Sequence, residues 1–156
     1  MIRVQNLKSV LEKKTYKVAE FSVMIIDDES VDRRLLKRFF KKENIQCEIF
    51  EVDNGKEGLD FLTSFAESQK KFPETFPPNI VFLDINMPVM DGFRFLEEYE
   101  KKRKQDPRLK SVVYLTSTST ADKDMTRLKK FSFVEGYVNK STYSAETIKE
   151  LVKPYL

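Results

Sequence analysis

The stretch Phe21-Ser22-Val23-Met24-Ile25-Ile26-Asp27-Asp28-Glu29-Ser30 places three local signals side by side. Its nearly continuous apolar run suits a strand buried on both faces, as strands of a parallel sheet are. Two adjacent carboxylates end the run. Ser30 is a good N-cap, and beyond it Val31, Leu35, Leu36, Phe39 and Phe40 recur at helical spacing on one face. Arg33, Arg34, Lys37, Arg38, Lys41 and Lys42 cover the remainder. The stretch therefore reads as one strand–helix unit with an acidic pair at the strand's carboxyl end.

The same unit recurs along the chain. Residues 47–52, 80–83, 112–115 and 133–138 read as four further strands, of which 47–52 alternates as an edge strand does. Helical spacing separates them: 55–68 carries Leu59, Leu62 and Phe65 or Ala66, and a helix capped by Asp91 carries Phe95, Leu96 and Tyr99. Residues 120–130 and 144–155 complete five helices. Strict alternation of this kind calls for right-handed crossovers and helices on both sides of one sheet, so the expected fold is a doubly wound α/β domain with a five-stranded parallel sheet. Two stretches fall outside the pattern, a basic N-terminal extension at 1–20 and a proline-containing connection at 67–78. With 156 residues, of which 40% are hydrophobic and 12% aromatic, the chain suits a single domain, expected at 21–156.

Absences narrow the chemistry. The chain has no histidine and one cysteine, Cys47, which excludes His-based nucleophile systems, His-ligated zinc, a His-borne phosphoryl group and an intramolecular disulfide. Cys47 itself reads as a small strand residue rather than a redox sensor. Gly55, Gly58, Gly92 and Gly136 form neither a Walker A loop nor a dinucleotide-binding pattern. Residues 1–20 hold five basic and two acidic side chains, which accounts for the whole net charge of +3 and leaves 21–156 balanced, with no bias toward nucleic acid. No secretory leader and no apolar run of membrane-spanning length is present, so a cytoplasmic protein without membrane insertion is expected.

In an open parallel sheet, ligands bind beyond the carboxyl ends of the strands, where strand order reverses. The first strand runs into Asp27-Asp28, the third into Asp84, the fourth into Thr116 and the fifth, after Asn139, into Lys140. Three carboxylates brought together repel one another, and a hard divalent cation neutralises them best. Mg²⁺ is commonly held by one or two carboxylates while it also grips a phosphate. With an ammonium from Lys140 and a hydroxyl from Thr116, the set is suited to a phosphoryl group, whose transfer depends on positioning and charge neutralisation.

At these residues the chain resembles the receiver domain of two-component response regulators, a flavodoxin-like family that includes the chemotaxis receiver. The motifs that carry the resemblance are Ile25-Ile26-Asp27-Asp28-Glu29-Ser30, Phe82-Leu83-Asp84-Ile85-Asn86-Met87-Pro88-Val89-Met90-Asp91-Gly92, Leu115-Thr116-Ser117 and Gly136-Tyr137-Val138-Asn139-Lys140, and it covers 21–156. It implies that Asp84 is the phosphoacceptor and that Asp27, Asp28, Asp84 and the Asn86 backbone carbonyl hold Mg²⁺. The phosphoryl donor would be a phosphohistidine on a sensor histidine kinase or a histidine phosphotransfer protein. Lys140 would shield the acyl phosphate, Thr116 would move to bond its oxygens, and Tyr137 would swing inward as the second half of the switch. For Tyr137 an ordinary strand-end aromatic remains the other reading. Asn86 and Thr118 occupy positions that in the family tune acyl-phosphate lifetime, and Asp91 and Gly92 read as a cap and a tight-turn residue.

Such a protein is a signalling phosphoacceptor that promotes its own phosphorylation and dephosphorylation rather than a turnover enzyme. The chain ends with its fifth helix, so the resemblance implies output by contact with a downstream protein target, and homodimerisation stays open. Two departures from the family stand out. Ser141 follows Lys140 where the family has Pro and a cis peptide; a cis bond without Pro costs on the order of 2.5 to 4 kcal/mol, so the loop either carries that strain or takes another path. The second is the long 67–78 connection. Two other functions compete: a receiver-like scaffold that works without phosphorylation, and an Asp-nucleophile phosphatase of the haloacid dehalogenase type. The phosphatase motif needs a second Asp where this chain has Asn86.

Overall fold

All five apolar runs enter one parallel sheet. In a computed structural model, which describes residues 21–118 and 122–156, β1 (Ser22–Ile26), β2 (Glu48–Val52), β3 (Ile80–Asp84), β4 (Val112–Ser117) and β5 (Val134–Asn139) lie in the order β2-β1-β3-β4-β5. The basic segment 1–20 and the expected helix start at Thr120 lie outside the described residues. β2 stands at an edge, as its alternation anticipates. Strand order reverses beside β1, which places the carboxyl ends of β1 and β3 at the switch point.

Period-two alternation divides the core in two. Val23, Ile25, Ile80 and Phe82 face α1 (Ser30–Lys42) and α6 (Ala145–Val152), which contribute Leu36, Phe40, Ile148 and Val152. Met24, Ile26, Val81, Leu83, Val113 and Leu115 pack on the other face against α2 (Gly55–Thr63), α3 (Phe65–Lys71), α4 (Gly92–Gln105) and α5 (Asp122–Leu128). Each fully buried side chain of this size contributes roughly 1.5 to 3 kcal/mol of hydrophobic burial, so both helical layers are firmly held to the sheet. A short 3₁₀ turn, Lys153–Tyr155, follows α6. Caps fit their helices: Asp91 accepts from the Arg94 amide at 2.8 Å, Ser144 from Thr147 at 3.2 Å and Asn54 from Glu57 at 2.8 Å.

The structure corrects the sequence reading at four points. The helix expected over 55–68 is two helices that break at Ser64, whose ψ of 58° leaves the helical region. The break lets Phe61, Phe65 and Phe72 gather with Phe50 and Phe76 in one aromatic cluster, with ring centroids 4.9 to 6.1 Å apart. Residues 67–71 of the supposed 67–78 loop consequently belong to α3. Glu29, not Ser30, occupies the N-cap of α1, and Val31 is 64% exposed instead of facing the core. Finally, β3, β4 and β5 extend to Asp84, Ser117 and Asn139, so Asp84 and Thr116 are ladder partners within the sheet.

Candidate functional site

Asp27 directly follows β1 and its amide donates to the Val52 carbonyl at 3.2 Å. Asp28 comes next, and Asp84 closes β3 one strand away. Sheet geometry alone thus gathers the three acids, and one carboxylate oxygen from each lies within 4.8 Å of the others. Lys140 follows β5, where its amide donates to the Ser117 carbonyl at 2.8 Å. From there its buried side chain crosses the site, with Nζ 2.6 Å from Asp27 Oδ2, 3.0 Å from Asp32 Oδ2 and 3.3 Å from Asp84 Oδ1.

The Lys140–Ser141 peptide is trans; the cis bond among the described residues is Phe76–Pro77. Asn139 shapes the loop instead of a proline. Its side chain accepts from the Ser141 amide at 2.8 Å, and its carbonyl accepts from Thr142 at 3.1 Å and Tyr143 at 2.9 Å. The loop takes the other path open to it, and Lys140 still reaches the acids.

Two further hydrogen bonds fix Asp27: Oδ1 accepts from the Glu29 amide at 2.9 Å, and Arg33 Nη1 donates to its carbonyl at 2.7 Å. Asp28 differs, because its buried Oδ1 has no hydrogen-bond partner. An unpartnered carboxylate oxygen in an acidic cluster is costly unless a cation completes it, and hard oxygen donors of this kind suit Mg²⁺. Burial, with added repulsion from Asp27 and Asp28, pushes the Asp84 carboxyl up to about 6 against the pull of Lys140. Burial likewise raises Asp27, although Lys140 and the Glu29 amide oppose it. For Lys140, burial favours the neutral amine, but bonds to Asp27 and Asp32 outweigh it and the ammonium is held more firmly than usual.

The loop after β3 is pinned close to Asp84. Gly92 donates to the Ile85 carbonyl at 2.8 Å, and a Cβ there would lie 2.8 Å from the Asp84 carbonyl oxygen and 2.9 Å from Ile85 Cα. Its glycine is required by close approach of backbone to backbone. Val89, 94% exposed, has φ of 68°, a conformation that costs a β-branched residue about 1 to 2 kcal/mol. Asn86 stands exposed two residues past Asp84. Thr116 is buried opposite Asp84. The Tyr137 ring is half-buried against the core on the α4 side, and its hydroxyl reaches the Ser117 carbonyl at 3.4 Å.

Asp32 is the member of the site that sequence reasoning missed. It lies one helical turn past Asp28, and that spacing at the acidic end of α1 was the available signal. A cavity of about 570 Å³ lined by Phe65, Phe76, Pro77 and Arg108 sits near the opposite, amino ends of the strands. Cys47, half-buried, has a thiol that burial pushes up to about 11, which fits an unreactive strand-flanking residue.

Known proteins are similar to this chain in sequence and in fold. Residues 23–153 match the response regulator receiver domain. The response regulator Rcp1 of Synechocystis is 27% identical over 131 residues, which cover 84% of this chain and 81% of that protein. The sensor histidine kinase CheAY of Helicobacter pylori is 30% identical over 135 residues, 86% of this chain but 15% of the kinase. Among solved structures, the chemotaxis protein CheY4 of Vibrio cholerae has a TM-score of 0.64 at 22% identity, covering 87% of this chain and 98% of that one. The receiver domain of the histidine kinase CKI1 from Arabidopsis thaliana, complexed with Mg²⁺, has a TM-score of 0.70 at 18% identity, with 89% and 94% covered. Those structural likenesses show the flavodoxin-like fold. The family match spans nearly all of the folded chain, and the chain belongs to the receiver domain family of two-component response regulators.

Proposed function

We propose that Asp84 accepts a phosphoryl group from a phosphohistidine on a sensor histidine kinase or histidine phosphotransfer protein, and that the phosphorylated domain signals by contact with a downstream protein. The observation that carries this reading is the placement of Asp84: a buried carboxylate at a strand end, 3.3 Å from the Lys140 ammonium, beside an Asp28 oxygen left without a partner. Asp27, Asp28, Asp84 and the Asn86 backbone carbonyl would hold Mg²⁺. When bound, that ion supplies charge neutralisation for the clustered carboxylates and for the incoming phosphoryl oxygens.

An ionised Asp84 oxygen attacks phosphorus; the P–N bond of the donor breaks, its electron pair stays on the imidazole, and an aspartyl phosphate forms. Lys140 loses a carboxylate partner at Asp84 and donates instead to the new phosphoryl oxygens. Thr116, the ladder partner of Asp84, turns its hydroxyl to the same group, and Tyr137 moves inward from its present bond to Ser117. These new charge-assisted hydrogen bonds bias an existing two-state equilibrium at the β4–β5 end of the sheet. Proposed with this mechanism are a receiver unit at 21–156, a separate basic segment at 1–20, and a cytoplasmic site of action. No helix among the described residues is long and apolar enough to cross a membrane.

Intact-mass measurement after incubation with acetyl phosphate tests the proposal. One phosphoryl adduct is expected on the wild type with Mg²⁺, and none on Asp84→Asn or after chelation. A folded, Mg²⁺-supplied wild type that stays unmodified would transfer support to the phosphorylation-independent scaffold.

A further inference from the structure

Lys140 has three N–H donors and three carboxylate neighbours, Asp27, Asp32 and Asp84. Two of those neighbours are committed elsewhere once the site works, Asp27 to the metal and Asp84 to phosphorus. Asp32 is free of both duties. It is not part of the trio whose oxygens converge within 4.8 Å, and it belongs to the first turn of a 13-residue helix, a rigid base whose amino end favours a carboxylate. We infer that Asp32 is a positioning residue: it restrains the Lys140 ammonium over the reacting oxygen while the ammonium's other two partners are handed to metal and phosphoryl group. This inference rests on the function proposed above.

Helix stability explains an acid in the first turn of α1 but not its contact with Lys140, whose charge already faces two other carboxylates. What a third acceptor does supply is a fixed point that survives the change in the other two. Lys140 sits on a loop shaped by Asn139, at the end of edge strand β5, so a tether from α1 spans the site and ties its two sides together. The distances agree with this order of roles, since Nζ lies closer to Asp32 than to Asp84 before any phosphoryl group arrives.

The test compares the full chain with Asp32→Ala, Asp32→Asn, Lys140→Ala and the Asp32→Ala/Lys140→Ala double variant. Acetyl phosphate is the donor; its P–O bond to the acetyl oxygen breaks, acetate leaves with the electron pair, and the Asp84–phosphorus bond forms. For Asp32→Ala the limiting phosphorylation rate is expected to fall about tenfold, the lower end of what loss of an outer-shell partner costs at a metal site. Donor KM should stay within about twofold of wild type, because Asp32 does not touch the donor, and the rate loss should persist at saturating Mg²⁺, whose Kd the lost charge shifts alike in Asp32→Ala and Asp32→Asn. Asp32→Asn keeps an acceptor oxygen and should recover most of the rate. In the Lys140→Ala background the Asp32→Ala change should have no further effect, as a double-mutant cycle requires of two residues that act together.

A second readout works without phosphorylation. The ¹⁵N-labelled Lys140 ammonium in Mg²⁺-saturated protein, where Asp27 is committed to the metal, should give a slowly exchanging signal that Asp32→Ala broadens or abolishes. If that signal is unchanged by Asp32→Ala, the inference is overturned. It is overturned equally by an Asp32→Ala rate loss that persists without Lys140, or by one that saturating Mg²⁺ restores. If the ammonium is mobilised as expected but the wild type takes no phosphoryl group, the restraint stands and the proposed phosphoacceptor function fails.

Discussion

Asp84→Asn should make the metal-free protein more stable, although it removes the proposed reacting group. In the folded chain the Asp84 carboxyl is pushed from 3.8 up to about 6, first by burial and then by Asp27 and Asp28, with Lys140 only partly compensating. A folded-state carboxyl pKa above the unfolded value means that the folded chain binds the proton more tightly. Folding is therefore favoured by this group at low pH, and that contribution is lost as pH rises from about 4 to about 6. At neutral pH the ionised carboxylate costs about two pKa units, on the order of 3 kcal/mol. The side chain is only 6% exposed, so solvent screening removes little of it.

An amide of the same shape carries no charge to desolvate, and Lys140 retains Asp27 and Asp32 as partners. At pH 7.5 with a chelator present, Asp84→Asn should gain about 1 to 3 kcal/mol, or roughly 3 to 10 °C in Tm for a domain of this size. At pH 4.5, where the wild-type carboxyl is largely protonated, most of the difference should vanish. Millimolar Mg²⁺ should reverse the order by binding the folded wild type, with its full set of carboxylates, more tightly. Urea and thermal unfolding followed by circular dichroism, at both pH values and with or without metal, measure all of this. A variant no more stable than wild type in chelator at pH 7.5, or a gap that persists unchanged at pH 4.5, would refute the account of a strained acidic cluster.

Gly92→Ala should slow phosphorylation of Asp84 and weaken Mg²⁺ binding, since its Cβ would press on the Asp84 carbonyl oxygen and Ile85 Cα; an overpacking cost of about 1 to 3 kcal/mol should appear in urea unfolding. Normal phosphorylation kinetics for that variant would show that the loop yields freely. Val89→Gly should stabilise the protein by up to about 1 kcal/mol, because relief of the left-handed conformation exceeds glycine's entropy cost at a residue with few contacts, and a lower Tm would contradict it. Iodoacetamide should alkylate Cys47 about 100-fold more slowly in the folded than in the unfolded chain near pH 8, with a rate that climbs about tenfold per pH unit toward the raised value; equal rates would count against a shielded thiol.

What could be read from the sequence and what could not divide by the range of the interaction involved. Strand type was legible because a parallel strand needs apolar side chains on both faces, and the polar residues that end each run point to Asp27, Asp28, Asp84, Thr116 and Lys140; the exact ends were not, because β3, β4 and β5 carry their ladders one or two residues into those polar positions. The break at Ser64 was not, because nothing local forbids a helix through Ser64; it comes from Phe50, Phe61, Phe72 and Phe76, contributed by different elements. Asp32 failed for the same reason. A charged residue in an amphipathic helix reads as solvated, and its partner Lys140 arrives from 108 residues away. The trans path of the Lys140 loop depends on Asn139, whose side chain and carbonyl accept three backbone amides, so a missing proline need not remove the lysine from the site. In this doubly wound fold the clustered carboxylates are announced by their own strands, while Asp32, which holds the Lys140 ammonium beside them, belongs to an element that meets β5 only after folding. Substitutions at Asp32 and Asn139 are for that reason more informative about mechanism than further substitutions at the acids.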